Sequence, residues 1–141
     1  MKKTASAHWQ GDLKNGKGTV STQSGALKDN PYGFNTRFED APGTNPEELI
    51  GAAHAGCFSM AFSMLLGEES FTPDSIDTKA TVTLEKQSDG FAVTAVHLQM
   101  RARIPGIDQA KFEEIAGKAK SGCPISKLLK ADITLDATLE G

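Results

Sequence analysis

The sequence predicts an α+β domain spanning residues 1–141. Three features carry that expectation. Strand-like alternation occurs both early and late in the chain, a long apolar helix separates the two regions, and the order of strands, long helix, strands, helix and strand lacks the regular alternation of a parallel βαβ sheet.

The elements follow in order. Ala5–Trp9 and Gly18–Thr22 alternate as two short strands, and Lys14-Asn15-Gly16-Lys17 between them carries the Asn-Gly hairpin signal. Asp29-Asn30-Pro31-Tyr32-Gly33 reads as a loop, and Phe34–Phe38 as an extended piece or short strand. Ala41-Pro42-Gly43-Thr44-Asn45-Pro46 is a cluster of breakers. A helix opens there by several rules at once: Asn45 or Thr44 can cap, Pro46 suits the first helical position, and Glu47 and Glu48 complement the positive end of the dipole. From Leu49 to Leu66 only His54, Ser59 and Ser63 are clearly polar. A helix apolar all round is expected to be buried, within a domain or between subunits. Gly67-Glu68-Glu69-Ser70 ends it. Ile76–Lys86 and Phe91–Arg103 alternate as a longer hairpin joined by Ser88-Asp89-Gly90. After Pro105-Gly106, Asp108 caps a helix running to about Ser121. Gly122-Cys123-Pro124 breaks it, Ile125–Lys130 forms a helical turn, and Ile133–Leu139 is a final strand.

Composition excludes several classes. The formal charge is -3 and the pI about 5.6, with acidic and basic residues interspersed, so no basic field exists to hold nucleic acid. No run is read as reaching the ~18 consecutive apolar residues of a membrane span, so no membrane partner is expected. The basic start at Lys2 and Lys3 has no apolar stretch behind it, which points to the cytoplasm rather than to secretion. In that reducing compartment a cysteine pair is more often catalytic, redox-sensing or metal-binding than structural. No phosphate loop, dinucleotide fingerprint or Ser-His-Asp order is present, and neither a cofactor nor a metal is expected.

Cys57 and Cys123 are the two cysteines, too few for a disulfide scaffold or a four-cysteine zinc site. They suit a redox couple in which one sulfur attacks and the other resolves. Cys57 lies in mid-helix and could equally be an inert core thiol. A reactive thiolate there needs a cation brought in from elsewhere. Arg37, between Phe34 and Phe38, is the candidate, because a guanidinium stays charged when partly buried; the alternative is a surface arginine. Glu47 is its natural companion through a paired contact, or else a helix-start carboxylate and nothing more. Glu47 and Cys57 are ten residues apart, hence about 15 Å along one helix. If both are catalytic, two copies of the helix must pack antiparallel in a two-fold dimer with composite sites. Cys123 reads as a helix-junction residue, or as the resolving thiol if its Cα comes within about 7 Å of that of Cys57. His54 shares a helix face with Cys57. It is a core histidine, a base for Cys57, or a third zinc donor beside the cysteines.

Pro31–Phe38, Gly43–Ile50, Ala52–Met60 and Ala119–Ser126 together resemble the osmotically inducible protein C / organic hydroperoxide resistance family (OsmC/Ohr), a likeness running from Ala7-His8-Trp9 to the last strand. Arg37, placed after the early strands, resembles the osmotically inducible branch; the hydroperoxide resistance branch carries its arginine earlier. Gly56 stands where alanine is usual before the first cysteine. The resemblance implies an intertwined homodimer with long buried central helices packed against antiparallel sheets. It implies a thiol peroxidase acting on organic hydroperoxides, with Cys57 peroxidatic, Cys123 resolving, and Arg37 and Glu47 the polar pair. A dithiol reductant, with lipoylated proteins among the donors the family suggests, would then reopen the disulfide. Phe34, Phe38, Phe58 and Ile125 are expected to line the substrate pocket by sequence adjacency. Two other functions compete: a non-catalytic redox sensor, and a small-ligand binding domain with inert thiols.

Overall fold

A computed structural model describes Met1–Gly141. Contacts divide the chain into two compact units, Met1–Leu49 and Ile50–Gly141, with the boundary inside a helix.

The first unit is built on a three-stranded antiparallel sheet, β1 (Ala5–Gln10), β2 (Lys17–Thr22) and β3 (Asn30–Tyr32), in that order. The turn at Asn15-Gly16 forms where the sequence places it. Asp12 accepts from the Asn15 amide at 2.8 Å, and a Cβ on Gly16 would lie 2.2 Å from the Asp12 carbonyl oxygen, so only glycine fits. Gly18 pairs with Trp9 on one side and Tyr32 on the other, and those two rings close over it with centroids 5.6 Å apart. β3 replaces the loop expected at 29–33; Pro31 is tolerated because β3 is an edge strand. Phe34–Phe38 is likewise not extended but a short helix, α1. The Thr36 hydroxyl accepts from the Gly33 amide at 2.8 Å and donates to the Gly33 carbonyl at 3.0 Å, which supplies the closing contacts that five residues cannot make alone.

Helix α2 (Pro46–Glu68) starts as its sequence dictates: Asn45 Oδ1 accepts from the Glu48 amide at 2.8 Å. By length and composition α2 is apolar enough to cross a membrane, which corrects the sequence reading. A core helix passes the same test. Gly51, His54, Phe58, Phe62 and Leu66 form a buried stripe at helical spacing, and Phe58, Phe62 and Leu66 join the core of the second unit. The all-round burial expected of α2 is absent within one chain. Met60 and Met64 are 76% and 60% exposed, on the face opposite the stripe with Ala53 and Gly56.

The second unit contains β4 (Ser75–Gln87) and β5 (Gly90–Arg103), an antiparallel hairpin with a bulge at Thr83/Leu84, then α3 (Gln109–Gly122), α4 (Pro124–Leu128) and β6 (Asp132–Glu140). Asp108 caps α3, accepting from the Lys111 amide at 2.7 Å. β6 pairs with β5 in parallel, so this sheet, ordered β4-β5-β6, is mixed rather than wholly antiparallel. Parallel pairing needs a long crossover, and α3 with α4 provides it. The core joins Val96, Leu98, Met100 and Ala102 of β5 to Phe112, Ile115, Ala116 and Ala119 of α3 and to the buried stripe of α2. Phe62 stacks on Phe58 at 6.1 Å and meets the edge of Phe112 at 5.8 Å. Ser59 of α2 hydrogen-bonds Thr78 of β4 at 2.7 Å. The unit is α+β, as the element order predicts.

Candidate active site

Two groups of chemically capable side chains stand out, one in each unit. In the first, Arg37 lies in the last turn of α1 and Glu47 in the first turn of α2. Nε of Arg37 donates to Glu47 Oε1 and Oε2 at 3.0 and 3.1 Å, and Nη2 donates to Oε1 at 2.6 Å. This fork-on-carboxylate contact aims a planar cation that cannot be discharged at neutral pH. The Phe38 ring lies beneath it, 5.4 Å from the guanidinium carbon, and Phe34 packs on Phe38 at 4.9 Å. The Asn45 side chain donates to the Thr36 carbonyl at 3.1 Å, which ties the breaker cluster back onto α1 and holds the two ends of the pair in place.

In the second unit the two thiols meet. Cys57 is half-buried on α2, Cys123 is buried at the α3–α4 junction, and neither is in a disulfide. The two thiols are near enough to shift one another's titration. Cys123 is shaped by its position: its amide donates to the Ala119 carbonyl at 3.0 Å, closing α3, while its sulfur caps α4, accepting from the Ser126 amide at 3.4 Å. The Ser126 hydroxyl lies 3.3 Å from the same sulfur. Burial pushes the Cys123 thiol up, but the Ser126 hydroxyl and amide, then Cys57 and the Ile125 amide, outweigh it and hold the thiol below the ordinary cysteine range. Cys57 moves the other way. Burial raises it, the Ile125 amide lowers it in part, and Cys123 raises it again by hydrogen bond and charge. No cation is among the groups acting on Cys57.

His54 is fully buried, and its Nε2 lies 2.7 Å from the Ser126 hydroxyl. Burial holds its imidazole below the ordinary value and hence neutral near pH 7. Of the three roles open to it, the hydrogen-bonded core histidine is the one the geometry matches; with Cys57 and Cys123 it does not form a group able to hold a metal ion. Phe58 is not a pocket residue in this chain, being wholly buried in the core. Ser126 was missed as an individual residue. Its signal was the spacing Cys-Pro-Ile-Ser, which puts a hydroxyl three positions after a capping sulfur, where side chain and amide both face back.

Comparison with known proteins converges on one family. The family model described as OsmC-like protein matches residues 38–138, a span that includes Glu47, Cys57 and Cys123 and begins one position after Arg37. Peroxiredoxin OsmC of Escherichia coli (strain K12) is 62% identical over 138 residues, covering 98% of this chain and 96% of that protein. The organic hydroperoxide resistance protein OhrB of Bacillus subtilis (strain 168) is 29% identical over 124 residues, 87% of this chain and 89% of its own. Among solved structures, an organic hydroperoxide resistance protein OsmC from Legionella pneumophila superimposes with a TM-score of 0.75 at 25% identity, covering 98% of this chain and 97% of that one. The chain belongs to the OsmC-like protein family.

Proposed function

We propose that this protein is a cysteine-based peroxidase that reduces organic hydroperoxides to alcohols. The observation that carries the reading is the proximity of two free thiols, one half-exposed on α2 and one buried at a helix junction. The peroxiredoxin name of the 62%-identical relative and the organic hydroperoxide resistance names of others support the reaction and the substrate class.

Cys57, the more accessible sulfur, attacks the distal peroxide oxygen as thiolate; the O–O bond breaks, the alcohol leaves, and Cys57 becomes a sulfenic acid. Cys123 then attacks that sulfur, forming the disulfide and releasing water. A dithiol, of which lipoylated proteins are one class, restores both thiols by exchange. A reducing cytosol is the compartment in which such a cycle would be sustained.

Arg37, held by Glu47, supplies the charge that Cys57 needs, and it does so between copies. Ten residues of helix separate Glu47 from Cys57, about 15 Å, whereas an antiparallel second copy would set the Arg37–Glu47 pair of one chain beside Cys57 of the other. The exposed face of α2 bearing Met60 and Met64 is the apolar surface such a homodimer would cover. A guanidinium arriving there favours the thiolate, offsets the burial that raises Cys57, and can donate to the peroxide oxygen.

The test is mass spectrometry after one equivalent of tert-butyl hydroperoxide. The expected product is the Cys57–Cys123 disulfide. Cys57→Ser should abolish consumption, and Cys123→Ser should consume about one equivalent per site and stall. Repeated turnover with a dithiol separates an enzyme from a redox sensor, which would bridge without cycling. A Cys57→Ser variant that retains most of its turnover sinks the assignment.

A further inference from the structure

His54 is the one polar side chain in the buried set, and the steps above leave it unused. Its Nδ1 is buried with no hydrogen-bond partner. A lone buried ring nitrogen carries a desolvation penalty that an aliphatic side chain of similar volume would not, so packing alone does not account for a histidine here. Its other nitrogen is engaged. Nε2 lies 2.7 Å from Ser126 Oγ, that hydroxyl lies 3.3 Å from Cys123 Sγ, and the Cys123 thiol is near enough to Cys57 for each to shift the other's titration. A continuous line thus runs from an imidazole through a hydroxyl to the resolving sulfur and on to the sulfur it must attack. Both ends of that line stand on α2, three residues apart, while the middle comes from the α3–α4 junction.

Building on the peroxidase reading, we infer that His54 and Ser126 form a proton relay for the resolving step, in which His54 is a positioning residue acting through Ser126. Cys123 gives its proton to Ser126 Oγ as the Ser126 proton passes to His54 Nε2. The Cys123 sulfur attacks the Cys57 sulfur, the S–S bond forms, and the S–O bond of the sulfenic acid breaks. The departing hydroxide leaves as water, taking up the proton that the relay returns. Cys57 sulfur is reduced and Cys123 sulfur oxidised by the same amount, so no further oxidant is needed. The relay requires a ring nitrogen that is bare before the step, and burial keeps His54 neutral near pH 7. The relay gives the proton of a thiol enclosed in the core, with no exposure to solvent, a defined path.

The experiment is a single turnover with tert-butyl hydroperoxide at pH 7, following Cys57 sulfenic acid by chemical trapping and the disulfide by mass spectrometry. His54→Gln keeps an amide able to hydrogen-bond Ser126 but has no nitrogen that takes up a proton, and Ser126→Ala cuts the line in the middle. Both should form sulfenic acid at close to the wild-type rate and then close the disulfide at least about a hundredfold more slowly, the lower end of what a positioned proton carrier contributes. Ser126→Thr should restore most of the closing rate. A merely structural role would slow both steps or neither. Should His54→Gln fail to fold, the pair Ser126→Ala and Ser126→Thr decides: a slow closure rescued by threonine supports the relay, and an unchanged closure overturns it. Variants that close normally beside a normally closing wild type overturn the relay alone. A wild type that forms no Cys57–Cys123 disulfide overturns the peroxidase reading and the relay with it.

Discussion

Glu47→Gln is the change that isolates the polar pair. The variant keeps the size and one carbonyl oxygen of Glu47 but loses the charge. Of the three contacts to Arg37, two use Oε1 and one uses Oε2. Glutamine can preserve the Oε1 contacts from the charged guanidinium to a neutral carbonyl, while its amide nitrogen opposes the Arg37 Nε donor at the third position. A hydrogen bond to a charged group contributes roughly 1.5–3 kcal/mol, so losing the Oε2 contact costs about 2 kcal/mol in a closed site. Glu47 is nearly closed off, with its side chain 13% exposed, but Arg37 is 37% exposed, so solvent recovers part of the loss. About 1–1.5 kcal/mol remains, close to a tenfold drop in the population of correctly aimed guanidinium. The assay is the second-order rate of Cys57 oxidation by an alkyl hydroperoxide in stopped flow, where kcat/KM should fall about tenfold with the disulfide still closing afterwards. A Glu47→Gln rate within twofold of wild type refutes the reasoning that the carboxylate orients the cation for chemistry.

Three other outcomes follow from the same coordinates. Met64→Glu, alone or with Met60→Glu, places charge on the open face of α2; sedimentation should shift from dimer to monomer and peroxidase turnover should fall with it, and a wild type already monomeric at micromolar concentration removes the basis for composite sites. Gly18→Ala would put a Cβ 2.4 Å from Tyr32 Cε1 and 2.6 Å from Trp9 Cε3, forcing the two rings apart; urea titration followed by Trp9 fluorescence should show a loss of about 1–3 kcal/mol. His54 titrates lower in the folded chain than unfolded, so between its folded value and about 6.5 the unfolded state binds more protons. Stability is therefore full above that range and declines as pH falls through it, and the decline should flatten in His54→Gln, as urea midpoints at pH 7.5 and 5.5 will measure.

The sequence made some elements plain and hid others for physical reasons. The start of α2 was legible because Asn45, Pro46, Glu47 and Glu48 each satisfy a separate requirement of a helix N-terminus, and the Asn45 cap is present. Asp108 and the Asn15-Gly16 turn were legible in the same way. α1 was not, since five residues show no period, and its closure depends on Thr36 reaching back to Gly33. β3 was hidden by Pro31, a residue usually excluded from strands. The parallel partner of β6 could not be read, because alternation identifies a strand but not its neighbour. The meeting of Arg37 with Glu47 was anticipated from chemistry, a fork matched to a carboxylate. The pull on the two thiols was not. It depends on whether the Ser126 and Ile125 amides and the Ser126 hydroxyl reach a given sulfur, which is a matter of ångströms at one helix junction.

That junction has a consequence for what oxidation does to the backbone. In the proposed cycle the sulfur of Cys123 would be a reagent, and in the structure it is the acceptor for the Ser126 amide at the start of a five-residue helix. Once bonded to another sulfur it is a poorer acceptor and is drawn toward its new neighbour, so the Ser126 amide loses its anchor. Redox state would thereby be transcribed into local order. Hydrogen exchange at residues 124–128 would quicken on oxidation, and the loosened turn would present the bridge to an incoming reductant.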